Sequence, residues 1–362
     1  MIFVMFAVAQ VSASRFHPTP YWTTIIATTT VGKWLRDATS CGHALPSDTE
    51  ERAAVLPRYC LAFVALIALV CDAAAATRPH SALPSVHVLP ALSMPGLDRQ
   101  RTLRVYLPPA YGDTGRRFQV LYMHDGQNLF DDATSYAGEW GVDESLDALA
   151  KSHGLEVIVV GIDNGQEQRM SELNPWPGLM FRIRFGPAEG KEYMDFVVKV
   201  VKPWIDAHYR TLPDRANTAI MGSSMGGLIS DYAIHRYPQV FSKAGIFSPS
   251  YWVSDDAYEF AWQKPLPRDA RVALLAGGKE GGDTVADLNR MTAVLHGNGL
   301  GSDRLSVKVL PDGEHNENFW RQEFPAAVAW LFNARPIAAV ATPLPAATLG
   351  EPREALPVRL HR

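Results

Sequence analysis

The sequence has little cysteine and little net charge. Its 362 residues include three cysteines, Cys41, Cys60 and Cys71, which all lie in the first fifth of the chain. The remainder therefore offers neither a disulfide framework nor a cysteine-based metal site. Lys and Arg total 34 against 38 Asp and Glu, a net charge of −4. Because proteins that bind nucleic acid carry a basic surface, we expect no nucleic-acid partner.

Long hydrophobic runs are also missing. The apolar run at 61–70 has ten residues, whereas a membrane-spanning helix needs about 20. Arg58 precedes this run and four alanines follow it at 73–76, a pattern typical of a secretory signal peptide. We therefore expect a signal peptide at 55–76, cleavage near Ala76, and a periplasmic or secreted protein without stable membrane insertion. A buried helix or a membrane anchor is the alternative interpretation of this run.

The two ends of the chain lack the patterns of a folded domain. Residues 1–54 show no clear periodicity, so we interpret them as an N-terminal extension and expect translation to start near Val55. Residues 336–362 are rich in Ala and Pro, which predicts a disordered tail. The intervening residues 77–335 contain no internal repeat and no linker-like composition, which indicates one domain.

Within that domain, apolar and β-branched runs alternate with amphipathic stretches. Predicted strands lie at 86–89, 103–107, 118–123, 157–162, 218–221, 244–247, 271–275 and 305–309. Predicted helices lie at 143–151, 191–209, 225–237, 284–296 and 320–332. This alternation predicts an α/β fold with a mostly parallel central sheet and helices on both faces.

A glycine- and serine-rich turn follows the predicted strand 218–221. It reads Gly-Ser-Ser-Met-Gly at 222–226 and precedes a predicted helix, which is the strand–turn–helix setting of the G-x-S-x-G motif. Glycines at its two ends relieve crowding in so sharp a turn. The motif centres on Ser224 rather than Ser223, so we expect Ser224 to be a catalytic nucleophile.

A serine nucleophile needs a general base, and the base needs an acid that orients it. With this turn, the partners follow in the order serine, acid, histidine. His315 lies just beyond the last predicted strand, where catalytic groups of parallel sheets gather, and we expect it to be the base. The loop after strand 271–275 offers two carboxylates. Glu280, nearer the strand end, is the preferred acid, and Asp283 is the alternative.

Other loops at the predicted strand ends offer oxyanion donors and a substrate pocket. We expect the backbone N–H of Met225 and that of Gly126 or Gln127 to bind an oxyanion. Asp125, in the same loop, is interpreted as a hydrogen-bond acceptor that shapes the loop. Three aromatic residues are candidates for the pocket lining, although aromatics at such places are as often part of the core. These are Trp140, Tyr251 and Trp252.

The stretch from Val105 to Phe332 resembles the putative esterase family of α/β-hydrolases. That family groups enterochelin (siderophore) esterases, feruloyl and other carbohydrate esterases, S-formylglutathione hydrolases and mycolyltransferases. The similar segments are VLYMHDGQNLF at 120–130, RMSEL at 169–173, IDAHYRT at 205–211, IMGSSMGGLISDYAIHRYPQVFSKAGIFSPSYW at 220–252, GGKEGGD at 277–283 and GEHNENFW at 313–320. The resemblance implies an α/β-hydrolase fold, with Ser224 as nucleophile, His315 as base and Glu280 as acid.

These observations predict an exported serine hydrolase that cleaves carboxylic esters through an acyl-enzyme. We expect no metal and no organic cofactor, since no His/Asp cluster has ligand spacing. The expected substrate is a small-molecule, carbohydrate or siderophore ester. Two alternatives remain: an acyltransferase that passes the acyl group to a sugar or other alcohol, and a non-catalytic binding protein built on the same scaffold. The natural ester and the oligomeric state are not predicted.

Overall fold

A computed structural model describes residues 78–335, apart from 114, 178, 181, 182, 185 and 186. Residues 179, 180, 183 and 184 are described by their backbone alone. The predicted extension at 1–54, the signal peptide at 55–76 and the tail at 336–362 lie outside the described residues. The predictions made for them, and the domain bounds 77–335, therefore stay predictions.

The centre of the fold is a mixed sheet of eight strands. The strands are β1 (Val86–Met94), β2 (Arg99–Tyr106), β3 (Gln119–His124), β4 (Val157–Ile162), β7 (Thr218–Ser223), β8 (Lys243–Phe247), β9 (Arg271–Gly277) and β10 (Leu305–Leu310). Their order in the sheet is β1-β2-β4-β3-β7-β8-β9-β10. From β4 to β10 all neighbouring pairs are parallel, whereas β1 and β2 extend the β4 edge in antiparallel pairs. A separate two-stranded ribbon consists of β5 (Leu179–Met180) and β6 (Ile183–Arg184).

Helices connect the strands and cover both faces of the sheet. They are α1 (Val142–His153), α2 (Arg169–Glu172), α3 (Gly190–Phe196), α4 (Lys202–His208), α5 (Met225–Arg236), α6 (Asp256–Gln263), α7 (Thr284–Gly297) and α8 (Glu317–Leu331). One turn of π-helix, Val197–Val201, joins α3 to α4. None of the described helices is both long and apolar enough to cross a membrane.

Two hydrophobic cores lie on opposite faces of the sheet. Successive residues of β3 alternate between them, because side chains of a strand point to opposite faces in turn. Tyr122 packs in the core that contains Leu228 of α5, and Leu121 packs in the core that contains Phe324 of α8. This double burial explains why the central strands are unbroken apolar runs in the sequence.

The predicted fold class is confirmed: the sheet is mostly parallel and has helices on both faces. Strand β4 has the predicted bounds, and the other predicted elements differ by a few residues at their ends. Helix α6 was not predicted. Its eight residues, Asp256–Gln263, are too few to establish a helical period.

Candidate active site

Ser224 occupies the sharp turn between β7 and α5. Its backbone has φ 57° and ψ −121°, a conformation that L-residues rarely adopt. A Cβ atom at Gly222 would lie 2.8 Å from the carbonyl carbon of Gly226, so this approach requires glycine. Met225 is the first residue of α5, and its N–H therefore has no carbonyl acceptor within the helix. The turn presents a serine beside an available N–H donor.

His315 and Glu280 form a hydrogen-bonded pair at the same edge of the sheet. His315 Nδ1 lies 3.0 Å from Glu280 Oε2. Because a carboxylate only accepts, Nδ1–H must donate, which leaves Nε2 as the basic nitrogen. The Glu280 side chain is 1% exposed and the His315 side chain is 41% exposed. The buried acid therefore orients a histidine that solvent can reach.

Two further donors hold the Glu280 carboxylate. The Ser248 hydroxyl donates to Glu280 Oε1 at 2.5 Å, and the Gly277 backbone N–H donates to the same oxygen at 2.6 Å. Trp320 Nε1–H donates to Ser248 Oγ at 2.9 Å. Since an indole N–H can only donate, the single Ser248 hydroxyl proton is directed to Glu280. The Trp320 ring also packs edge-on against His315, with ring centroids 5.1 Å apart.

The loop after β8 links Ser224 to this pair. Ser250 Oγ lies 3.2 Å from Ser224 Oγ, and Ser248, two residues earlier, contacts Glu280. Strands β7, β8, β9 and β10 are neighbours in that order. Their carboxyl ends therefore carry Ser224, the Ser248–Ser250 loop, Glu280 and His315 in succession, as is typical of sites on parallel sheets.

The loop after β3 packs against the first turn of α5. A Cβ atom at Gly226 would lie 3.3 Å from His124 Cβ and 3.4 Å from Asp125 Oδ2. A Cβ atom at Gly126 would lie 2.8 Å from the backbone carbonyl carbon of Gly161, so a larger residue does not fit there. Gln127 Oε1 accepts the Asn164 N–H at 3.1 Å. The candidate oxyanion donors thus belong to a tightly held loop.

Asp125 is the central hydrogen-bond acceptor of this loop, which is the role expected for it from the sequence. Arg169 Nε and Nη2 donate to its two carboxylate oxygens at 2.6 and 2.8 Å, and Asn164 Nδ2 donates at 2.6 Å. Burial opposes the charged form, yet the Arg169 charge and these hydrogen bonds hold the pKa of Asp125 below its usual value. Asp125 is therefore paired, and not available as a general acid.

The buried His124, the last residue of β3, makes the stability of the folded protein depend on pH. Burial lowers its pKa from 6.5 to about 4, so the unfolded chain takes up a proton before the folded chain does. We expect the free energy of unfolding to fall by about 3 kcal/mol between pH 6.5 and 4 through this group. Urea denaturation across that range measures the effect. His124→Asn should flatten the slope, whereas the exposed His87→Asn should not; equal slopes in all three proteins contradict this assignment.

The remaining candidate residues, Asp283 and the three aromatics, differ in their exposure to solvent. Asp283 is exposed at the start of α7, and Glu280 rather than Asp283 pairs with His315. Trp140 is 3% exposed and stacks on Phe247 in the core, and Tyr251 is 2% exposed. Trp252 is 48% exposed. Of the three candidate pocket aromatics, Trp252 is therefore the one whose side chain is exposed to solvent.

Four residues around this edge were not predicted: Ser248, Ser250, Arg169 and Trp320. Ser248 and Ser250 follow directly after β8, at the strand-end position that identified the other candidates. Trp320 and Arg169 lie in the family-like segments GEHNENFW and RMSEL. Position alone would have found the two serines, but the hydrogen bonds of Trp320 and Arg169 depend on packing between distant elements.

Comparison with known proteins identifies a family. The family model described as "Putative esterase" matches residues 95–331. An uncharacterized protein of Bacillus subtilis, YbbA, is 28% identical over 242 residues, which is 64% of this chain and 92% of that protein. The siderophore triacetylfusarinine C esterase of Aspergillus fumigatus is 28% identical over 176 residues, 45% of this chain and 56% of that protein.

Solved structures of similar shape include an enterobactin esterase and a siderophore hydrolase. The enterobactin esterase of Shigella flexneri has a TM-score of 0.57 at 18% identity, covering 70% of this chain and 60% of that one. The siderophore hydrolase EstA of Aspergillus nidulans has a TM-score of 0.55 at 16% identity, covering 69% and 94%. At such identities the likeness shows the fold, which is of the α/β-hydrolase type. With the family model matched across most of the described residues, the chain belongs to the putative esterase family, and that membership supports the hydrolysis of carboxylic esters.

Proposed function

We propose that the protein is a serine esterase that works through an acyl-enzyme, with Ser224, His315 and Glu280 as its triad. The observation that carries this proposal is the hydrogen bond from His315 Nδ1 to the buried Glu280, at the sheet edge where Ser224 occupies its strained turn. A histidine oriented in this way keeps Nε2 available as a base.

The proposed reaction has two halves. Ser224 Oγ attacks the ester carbonyl carbon while its proton passes to His315 Nε2. The C–O bond to the alcohol then breaks, and the histidine returns the proton to the leaving alcohol. Water attacks the acyl-enzyme by the same proton path and releases the acid. Glu280 stabilises the histidinium that forms in each half.

Backbone donors are proposed to bind the oxyanion. The Met225 N–H at the start of α5 is one, and Gly126 or Gln127 supplies the other. The helix N-terminus adds a favourable dipole at the same place. Hydrogen bonds between a nucleophile and its base are often long before substrate binds, so the Ser224 contact with Ser250 is compatible with this role.

The substrate is proposed to be a small-molecule, carbohydrate or siderophore ester. The similar proteins include siderophore, enterobactin and ferulic acid esterases. The exposed Trp252 beside the site offers an aromatic surface for a catechol or feruloyl ring. A panel of an aryl acetate, a feruloyl sugar and a catecholate trilactone tests the class, with added acceptor alcohols to detect acyl transfer. Hydrolysis of none of them by a folded protein would overturn the proposal.

Export is proposed as well, through the signal peptide predicted at 55–76. Mass spectrometry of the N-terminus of the native protein tests it. A terminus near residue 77 is expected, and peptides from residues 1–54 in the native protein would contradict it.

Trp320→Phe tests the proposed support of the acid. The substitution retains an aromatic ring beside His315 but removes the N–H that directs the Ser248 hydroxyl to Glu280. We expect kcat to fall by roughly 3- to 10-fold, the equivalent of one net hydrogen bond, with little change in KM. Trp262→Phe, at an exposed site on α6, is the matched control and should match wild type. An unchanged kcat in Trp320→Phe contradicts the role.

A further inference from the structure

Three carboxylates meet behind the candidate active site, at the start of α1. Glu139, Asp143 and Glu144, the carboxylate cluster, each place one oxygen within 4.8 Å of the others. Glu139 and Asp143 are 5% and 0% exposed, and Glu144 is half-buried. Carboxylates that are buried together repel each other and lose hydration, so such a group needs compensation.

Hydrogen bonding satisfies only part of this cluster. Asp143 Oδ2 accepts the Leu83 N–H at 2.8 Å. Asp143 Oδ1, however, is buried and meets no donor among the described residues, and the same holds for one oxygen of Glu139 and one of Glu144. Buried polar atoms almost always have a partner. An orphaned oxygen on each of three converging carboxylates therefore indicates a ligand that supplies positive charge.

The charges on the described residues lead to the same conclusion. Arg321 Nη1 lies 3.5 Å from Glu139 Oε1, and the Arg321 side chain is 43% exposed. With all three carboxylates ionised, one guanidinium leaves a net charge of −2, which one divalent cation would balance.

We propose that the carboxylate cluster binds a Ca²⁺ ion. All the available ligand atoms are carboxylate oxygens, with no nitrogen or sulfur among them, which suits a hard cation. Ca²⁺ accepts irregular sets of oxygen ligands, whereas Mg²⁺ requires near-ideal octahedral geometry. The site is distinct from Ser224, His315 and Glu280, and the proposal does not depend on the function of those residues.

The position of the cluster implies a structural role. Leu83 donates to Asp143, and Ser81 donates its N–H to Asp131 nearby, so the first described residues of the chain dock here. Trp140, adjacent to Glu139, packs against Trp320 with ring centroids 5.7 Å apart and ring planes tilted by 34°. A bound ion would therefore hold the N-terminal segment and the base of α1 against the layer that contains Trp320.

Calcium titration of the full-length chain tests the proposal. The protein is stripped with a chelator, and thermal unfolding and calorimetric binding are measured with Ca²⁺, with Mg²⁺ and without either. If the Kd is about 10⁻⁴ M, as in many extracellular sites, about 10 mM Ca²⁺ should raise Tm by roughly 5–10 °C. Calorimetry should show one ion per chain, and Mg²⁺ should give a smaller shift.

Variants identify the site. Asp143→Asn, which retains an acceptor for the Leu83 N–H, and Glu144→Gln should each abolish most of the Ca²⁺-dependent rise in Tm. The matched control is Asp312→Asn, whose carboxylate is 89% exposed, and it should retain the full rise. If Asp143→Asn does not fold, the wild type and Glu144→Gln still decide. The proposal is overturned if wild type shows neither a heat of Ca²⁺ binding nor a rise in Tm with Ca²⁺. A Ca²⁺-dependent rise that Glu144→Gln retains overturns it as well. If Tm rises on acidification and not with Ca²⁺, the carboxylates share a proton and the proposal is also overturned.

Discussion

Replacing Ser224 by alanine is expected to lower kcat/KM for ester hydrolysis by roughly 10⁴- to 10⁶-fold, because a member of a cooperating triad is removed. In the proposed acyl-enzyme, the acyl group is bonded to Ser224 Oγ. The turn that carries Ser224 is stabilised by the close approach at Gly222 and by a hydrogen bond from the Ser224 N–H to the Phe247 carbonyl oxygen at 2.9 Å. Alanine keeps that backbone, so the loss should appear in kcat while the fold remains.

The adjacent serine provides the control for this experiment. Ser223 ends β7 and is 6% exposed. Ser223→Ala should keep activity within about 3-fold of wild type, because it removes one hydroxyl outside the triad. Steady-state kinetics with an aryl acetate measures both variants, and thermal unfolding checks that they are folded. Near-normal turnover by a folded Ser224→Ala protein contradicts the assignment.

Replacing Glu280 by glutamine should lower kcat by roughly 10³- to 10⁴-fold, the size of effect seen when the orienting acid of a triad is neutralised. Glu280 accepts from His315, Ser248 and the Gly277 N–H. An amide fills the same space, but its NH₂ group favours the wrong histidine tautomer and cannot stabilise a histidinium.

The second carboxylate of the same loop makes a matched control. Asp283 has the same sequence setting as Glu280 but is exposed at the start of α7. Asp283→Asn should therefore leave kcat within about twofold of wild type. A large fall in kcat in Asp283→Asn together with a small fall in Glu280→Gln would identify Asp283, and not Glu280, as the acid of the triad. The pair of variants thus resolves the alternative that the sequence leaves open.

The fold was predictable because its signals are local. Both faces of β4 are buried, so Val157–Ile162 is an unbroken apolar run that predicts a strand directly. The turn at Ser224 combines glycine spacing with a strand before it and a helix after it, which identifies its geometry as well as its position. Helix α6 was not predicted because its eight residues make only about two helical turns, which is too short for a helical period to be recognised.

The surroundings of the site were less predictable because they depend on distant contacts. The hydrogen bond from Trp320 to Ser248 joins residues 72 positions apart, and no spacing rule predicts it. Likewise, the burial of Trp140 depends on its packing against Phe247 and Trp320. The carboxylate cluster was missed for a related reason: its residues show no metal motif, and only their burial reveals the orphaned oxygens.

The most direct test of the central claim is covalent labelling of the serine. The purified full-length protein and its Ser224→Ala variant are treated with a fluorophosphonate probe, and their intact masses are measured. One adduct on the wild type and none on the variant is the result that an activated Ser224 predicts. No adduct on a folded wild type, or an adduct that persists in Ser224→Ala, contradicts the account.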